Sequence, residues 1–331
     1  MSYPTSTFEW NGETIQIEWM RMDSVDKLSP ITQVYAVCFN EQNEILIGRK
    51  GSSWNLPGGT PEGKETIAET LTRECLEEVD AKIKNIHILG AQKVYSQKTP
   101  DDAQYQVRCI CDFVELLDQT PDPDDGIVWE RKFVPIEQAN DYLKWGKTGE
   151  ALFKDALALH KHIKAQEELK TLLKGKYKSV EDLPYRQGAI GIVVNDENEF
   201  LIVQMVSYGE NQWRFPGGGV EENEKPSEAL LREFQEELNT DKFEIVKESK
   251  IINKYNWPDF IIVDQIKNKN RFFRGQEQHQ FLVKFTGKKE DLKIDPVDLR
   301  QVKWVKYNDL QEHFVFDNQW TDAEKALKDF L

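Results

Sequence analysis

Basic residues are in short supply in this 331-residue chain: 43 Lys and Arg stand against 58 Asp and Glu, a formal net charge of −15. A surface of that sign repels nucleic-acid backbones and disfavours a wide DNA or RNA groove. It still admits a small polyphosphate, because bound cations and a local basic loop can reverse the sign at one site. Cysteine is sparse as well. Cys38, Cys75, Cys109 and Cys111 all lie in the first half, and Cys109-x-Cys111 has no second pair with which to complete a zinc site. Buried free thiols are expected. There is no run of about eighteen apolar residues to span a membrane and no signal-peptide pattern at the start, so a cytoplasmic protein is expected. Nothing resembles an appended DNA-binding domain, and the oligomeric state is left open.

Aromatic residues are plentiful. Nine Trp and seventeen Phe supply enough bulk for two cores, the natural arrangement at this length. The most informative feature is an acidic pattern that occurs twice. Trp54-Asn55-Leu56-Pro57-Gly58-Gly59 leads to Glu65, then Arg73-Glu74 and Glu77-Glu78; Trp213-Arg214-Phe215-Pro216-Gly217-Gly218 leads to Glu224, then Arg232-Glu233 and Glu236-Glu237. The offset is 159 residues at each matched glycine, arginine and glutamate. At about 100° per residue, Glu74, Glu77 and Glu78 share one helix face, and Leu71, Cys75 and Val79 a neighbouring one. Glu233, Glu236 and Glu237 gather likewise beside Leu230, Phe234 and Leu238. Crowded carboxylates repel, and divalent cations make such a cluster favourable; Mg²⁺ takes oxygen ligands and bridges to phosphates. A solvated acidic helix face is the alternative, and it requires the glycine pairs, the spacers and the duplication to coincide.

Gly-x5-Glu-x7-Arg-Glu-(apolar)-x-Glu-Glu resembles the signature of the Nudix hydrolases. The resemblance implies an α/β chain of two tandem Nudix-like α/β/α sandwich domains with mixed sheets. It also implies hydrolysis of a pyrophosphate bond in a nucleoside diphosphate derivative, with Mg²⁺ (or Mn²⁺) as cofactor. Glu74 and Glu78, and Glu233 and Glu237, are the expected metal ligands, with Glu77 and Glu236 supporting and main-chain donors at Gly59 and Gly218. Arg73 and Arg232 are placed to pair with Glu65 and Glu224 and tie the loop down. Asp80-Ala81 and Asn239-Thr240 depart from the family pattern, which has Gly and an apolar residue there.

The repeat extends upstream, where Val34–Phe39 and Ile45–Ile47 match Ala189–Val194 and Phe200–Val203 as strand, turn and strand. The second repeat gains four residues around Tyr208–Asn211. A hairpin with an Asn11-Gly12 turn is expected over residues 8–17, a helix from Gly149 to about Lys174, and a helix start at Pro226-Ser227. The domains are expected at residues 1–174 and 185–331, with 175–184 as linker.

The second domain resembles the branch that cleaves dinucleoside polyphosphates, which includes bacterial RNA 5′-pyrophosphohydrolases. Tyr185-Arg186, Tyr255-Asn256-Trp257-Pro258, Arg274-Gly275-Gln276-Glu277-Gln278 and Trp304-Val305 carry that resemblance. Arg186 is a candidate substrate residue, Tyr255 and Trp257 offer faces for a purine, and Lys267, Lys269, Arg271 and Arg274 form an expected basic loop for phosphates. The branch has a distal Glu six residues before its tryptophan; here Asp298 stands there, as metal ligand or base. In the first domain Gln97 replaces a proline seen in ADP-ribose hydrolases, and Asp125 or Glu130 is the candidate distal acid. The leading expectation is a dinucleoside polyphosphate at the second site. The alternatives are an RNA 5′ end, a nucleotide sensor with one inactive domain, or clean-up of ADP-ribose or oxidised nucleotides by the first domain.

Overall fold

The structure is a computed structural model and describes residues 3–316 and 318–330. Met1, Ser2 and Leu331, at the outer ends of the expected domains, lie outside the described residues, as does Asp317. The chain divides into two compact units between Lys164 and Ala165.

The first unit opens with the expected hairpin, β1 (Thr5–Trp10) and β2 (Glu13–Arg21), turned at Asn11 and Gly12, both with positive φ. There follow β3 (Ile31–Phe39), β4 (Glu44–Lys50), β5 (Ser53–Asn55), β6 (Gly58–Gly59), helix α1 (Ile67–Val79), β7 (Ala81–Ser96), β8 (Gln104–Leu116), β9 (Glu130–Pro135), α2 (Ala139–Leu143) and α3 (Gly146–Leu172). The sheet runs β1-β2-β7-β8-β3-β4-β5, with β6 on β3 and β9 on β4. The β3–β8 pair is parallel and its neighbours antiparallel. Strand alternation sends Val34, Ala36 and Cys38 to the α1 side, and Tyr35, Val37 and Phe39 to the side covered by Leu152, Phe153 and Ala156 of α3. The result is helix, sheet, helix. All four cysteines are buried and free.

The second unit repeats the scheme. It comprises β10 (Tyr185–Val194), β11 (Glu199–Met205), β12 (Gly217–Gly219), α4 (Pro226–Leu238), β13 (Phe243–Glu248), β14 (Asn253–Asn256), α5 (Asp259–Lys269), β15 (Gly275–Phe285), β16 (Leu299–Lys306), α6 (Leu310–His313) and α7 (Gln319–Phe330). The sheet order is β13-β15-β10-β11-β16, with β12 on β10 and β14 on β15, and β10–β15 is the parallel pair. Ala229, Leu230, Phe234 and Leu238 are the buried stripe of α4. Phe234 fits because β10 has Gly191 beneath it: a Cβ there would fall 2.4 Å from Phe234 Cζ. Fully burying such a ring contributes roughly 1.5–3 kcal/mol. α6 and α7 cover the other face through Leu310, Phe314, Ala323 and Leu327.

The helix start expected at Pro226-Ser227 is found, with α4 beginning at Pro226 and Lys225 as its N-cap. Two local expectations are corrected. Lys267 and Lys269 belong to helix α5 rather than a loop, and Lys267 ion-pairs with Glu168. Residues 165–174, expected in the first domain, pack with the second unit, because Ala165, Leu169 and Leu173 bury against Ile262, Val263 and Ile266. Among the described residues no helix is long and apolar enough to cross a membrane.

The two departures from the glycine pattern have a structural reason. Asp80 and Asn239 are the C-caps of α1 and α4, at φ 44° and 53°, the left-handed region that Asn and Asp tolerate better than other non-glycine residues. The Asn239 side chain donates to the Lys293 carbonyl at 2.8 Å, and Asp80 accepts from the Thr120 amide and hydroxyl. Asn239→Gly and Asn239→Ala both remove the side-chain bond, but only alanine strains the backbone. Urea unfolding should therefore place the alanine variant about 1 kcal/mol below the glycine variant.

Candidate functional site

Each helix of acids is organised by one arginine. Arg232 Nε and Nη2 donate to the two oxygens of Glu224 at 2.9 and 3.0 Å; Nη2 also reaches the Gly219 carbonyl, and Nη1 donates to Glu233 at 3.1 Å and Glu236 at 3.0 Å. Arg73 repeats this with Glu65 at 2.9 and 3.0 Å, the Thr60 carbonyl, Glu74 at 2.9 Å and Glu77 at 3.0 Å. Bidentate, charge-assisted bonds of this kind are strong and directional. The Arg73 fork holds Glu65 down at about 2, and the Arg232 fork lowers Glu224 likewise.

The glycine turn meets these helices at close quarters. A Cβ on Gly218 would fall 2.1 Å from Glu233 Cδ, and one on Gly59 would fall 2.2 Å from Glu74 Oε1, so any side chain displaces the carboxylate. The ladder bonds Ala36 N to Pro57 O and Gly191 N to Pro216 O commit Gly59 and Gly218 to the neighbouring strand. The preceding glycines face the acids instead. The Gly58 amide donates to Glu78 at 2.8 Å, and the Gly217 carbonyl accepts from Arg214 at 2.9 Å. The main-chain donors expected at Gly59 and Gly218 are thus better placed at Gly58 and Gly217.

Glu237 and Glu78 are the buried members. Glu237 is 5% exposed, its Oε1 lies 3.4 Å from Arg214 Nη2, and its Oε2 is buried without a hydrogen-bond partner. Burial pushes it up to about 7; Arg214 opposes this, while Glu233, Asp298 and Glu236 add to it. Burial raises Glu78 to about 8 against the Gly58 amide, with further upward pushes from Glu74 and Asp122. Glu74 is also raised, chiefly by burial.

Asp298 is exposed beside Glu237. Arg186 is half-buried against the glycine turn: a Cβ on Gly219 would fall 2.0 Å from its Nη2. Burial and the neighbouring Arg271 lower its pKa, and Glu233 opposes them. Tyr255, 39% exposed, donates to Gln276 at 2.9 Å and lies within the fields of Arg214 and Arg186. Trp257 and Arg274 are not brought to the glutamates. Trp257 packs on the cluster of Leu169, Leu173 and Ile262 while its side chain hydrogen-bonds to Tyr255, and the Arg274 guanidinium lies 4.4 Å over the Tyr185 ring.

In the first unit Glu130 pairs with Arg49 and Asp125 with Lys50. The charges that reach the box come instead from Asp124, acting on Glu74, and Asp122, acting on Glu78. Gln97 donates to Gln16 on the hairpin, an exposed contact. Sequence reasoning missed Arg214, although it directly follows Trp213 in the glycine-turn motif. It also missed Lys50, Asp122 and Arg108, which no local pattern marks. Arg108 is 2% exposed, sits 4.3 Å under the Tyr35 ring, and donates to Gln92 at 2.6 Å and Gln106 at 3.1 Å. Burial lowers it to about 10.

The fit of a divalent ion can be judged from these groups. Among the described residues no three acidic, His or Cys side chains stand close enough to hold an ion by themselves. Two carboxylates and a main-chain oxygen are offered instead, Glu233, Glu237 and Gly217, with the orphaned Glu237 Oε2 as the oxygen that lacks a partner. Mg²⁺ keeps several waters and needs few protein ligands, so the set fits.

The NUDIX domain model matches residues 29–155 and 184–330. An RNA pyrophosphohydrolase of Rickettsia canadensis is 37% identical over 131 residues, 39% of this chain and 80% of that protein. An RNA pyrophosphohydrolase of Orientia tsutsugamushi is 36% identical over 137 residues, 41% of this chain and 83% of that protein. Among solved structures, a Caenorhabditis elegans Ap4A hydrolase complex aligns with 43% of this chain and 96% of its own, at 18% identity and a TM-score of 0.33. The chain belongs to the Nudix family, with one domain in each unit. With that family it is a pyrophosphohydrolase, an enzyme acting on acid anhydrides.

The buried acids set a pH dependence. Both ordinarily titrate near 4.5, and the fold raises Glu237 to about 7 and Glu78 to about 8. Their contribution to stability is complete below the unfolded value and lost as pH rises through the folded ones. In chelator, wild type should lose several degrees of Tm between about pH 5 and 8 relative to the Glu78→Gln/Glu237→Gln variant. Parallel curves would contradict the shifts.

Proposed function

We propose that the second domain hydrolyses a pyrophosphate bond in a dinucleoside polyphosphate with Mg²⁺ as its ion. The buried, half-partnered Glu237 beside Glu233 and the Gly217 carbonyl carries this reading: such an oxygen is costly to leave unmade in a metal-free fold. Glu233, Glu237 and Gly217 would hold the ion. Bound there, divalent ions neutralise phosphate charge and lower the pKa of an attacking water.

The other roles belong to the chain's own groups. Arg232 holds Glu233 and Glu236 in place, and Glu224 anchors Arg232. Arg186 and Arg214, with Arg271 beside them, supply positive charge for phosphate oxygens. Tyr255 offers a face for a base. Asp298 accepts the proton of the water: it is exposed, lies beside Glu237, and has no ion-pair partner among the described residues, whereas Glu233 and Glu236 are tied to Arg232. The net charge of −15 favours a free nucleotide. The names of the relatives favour a second reading, removal of pyrophosphate from an RNA 5′ end.

The first domain would use Glu74 and Glu78 with the Gly58 main chain, on a different nucleotide derivative. Parallel pairing places Arg108 beside Tyr35 there, and Gln280 beside Ile190 at the equivalent point of the second sheet. A buried cation in one site and a neutral amide in the other select against a common substrate.

Glu233→Gln should lower turnover of diadenosine tetraphosphate by at least about 100-fold with Tm retained. Undiminished turnover would refute the assignment, and a triphosphorylated oligonucleotide cleaved in preference by wild type would favour the RNA reading. In the Glu233→Gln background only the first site remains. If substrate charge meets Arg108 there, Arg108→Lys should lower kcat/KM on the substrate that site takes by about tenfold or more.

A further inference from the structure

A cavity lies in the second unit. It measures about 700 Å³, within the range of sites for small organic ligands. Leu169 and Leu173 form an apolar wall and Trp257 an aromatic one; Lys170, Lys174, Lys178 and Arg274 bring four cations to it, against Glu181 and Asp259. That balance is opposite to the chain's net charge of −15. Among the described residues Lys170, Lys174 and Lys178 make no ion pair, so their charges are uncommitted. Arg274 is committed only in part: Nη1 donates to the Glu181 carbonyl at 2.9 Å, while Nε is buried without a hydrogen-bond partner.

The cavity is not lined by the glutamates, and it adjoins their site through Trp257, whose side chain hydrogen-bonds to Tyr255. Neither Arg186 nor Tyr255 lines it, whereas Asn256 and Trp257 do. Strand alternation explains the separation, since successive residues of β10 and β14 point to opposite faces. Arg186 and Tyr255 turn to the glycine turn and Gln276. Tyr185 and Asn256 turn the other way, where the Tyr185 hydroxyl donates to Asn256 at 2.6 Å and its ring lies under Arg274.

We propose that this cavity is a second ligand site, for a small phosphate-bearing compound with a planar body, of the size of a nucleoside diphosphate. The lysines and Arg274 meet the phosphates as point charges and as an N–H donor. The Trp257 indole supplies a surface for the planar part, and Asn256 is within the same wall for its polar edge. The site stands whether or not the second domain cleaves dinucleoside polyphosphates.

The test is calorimetric titration of the full chain with ADP in chelator, where the metal-free glutamates repel phosphate and leave the basic cavity as the favourable place. One equivalent should bind saturably. Binding should weaken about tenfold or more in Lys174→Glu/Lys178→Glu, two exposed positions whose replacement leaves Tm unchanged. It should stay within about twofold of wild type in Arg186→Ala. Absence of saturation by about 1 mM ADP would overturn the proposal. So would binding that is lost in Arg186→Ala and kept in the lysine variant, which would place the nucleotide among the glutamates.

Discussion

Everything at the two sites depends on how like charges are kept together. Three glutamates within a turn and a half of helix repel one another, and a helix alone has no means of holding them. Arg73 and Arg232 resolve this with one fork each, which spans the loop glutamate and two helix glutamates. The fork also bonds to a loop carbonyl, so the loop is fastened to the same group that gathers the acids. A lysine could not do this, because it lacks the planar array of donors.

The fork leaves the last glutamate of each box unattended. Glu78 and Glu237 face inward, and each is answered differently: Glu78 by the Gly58 amide, Glu237 by Arg214 at longer range. Burial raises both, and a raised carboxylate gives up its proton when a cation arrives. The price of this arrangement is a metal-free state that resists ionisation at neutral pH.

Much of this was legible in the sequence. The duplicated spacing marked both helices, their apolar stripes and the arginine–glutamate pairs, because helical periodicity and short loops are local properties. The hairpin at Asn11-Gly12 was legible for the same reason. What escaped was set by sheet register. Which glycine of each pair faces the acids follows from ladder alternation between β6 and β3 and between β12 and β10, which no motif records. Asp122 and Asp124 act on the first box from more than forty residues away, and Trp257, besides bonding to Tyr255, packs on a cluster that no local pattern marks. The domain boundary moved because the last turns of α3 carry apolar residues whose partners, Ile262 and Ile266, lie ninety residues on.

Divergence between the repeats is concentrated in charge rather than in fold. The carboxylate arrays are nearly superimposable in their bonding, yet the cations around them are not equivalent. The second site has Arg186, Arg214 and Arg271 near its turn, whereas the first has Asn55 where the second has Arg214, Ile31 where the second has Arg186, and a buried Arg108 at the sheet. An ion held by two carboxylates would neutralise much of a phosphate chain in either domain, so the box alone would not discriminate among anhydrides. Discrimination has to come from the groups around it, and those groups differ in where positive charge is offered: at the turn in the second domain, within the sheet in the first. That difference in placement is the ground on which two substrates within one chain are proposed, rather than one substrate handled twice.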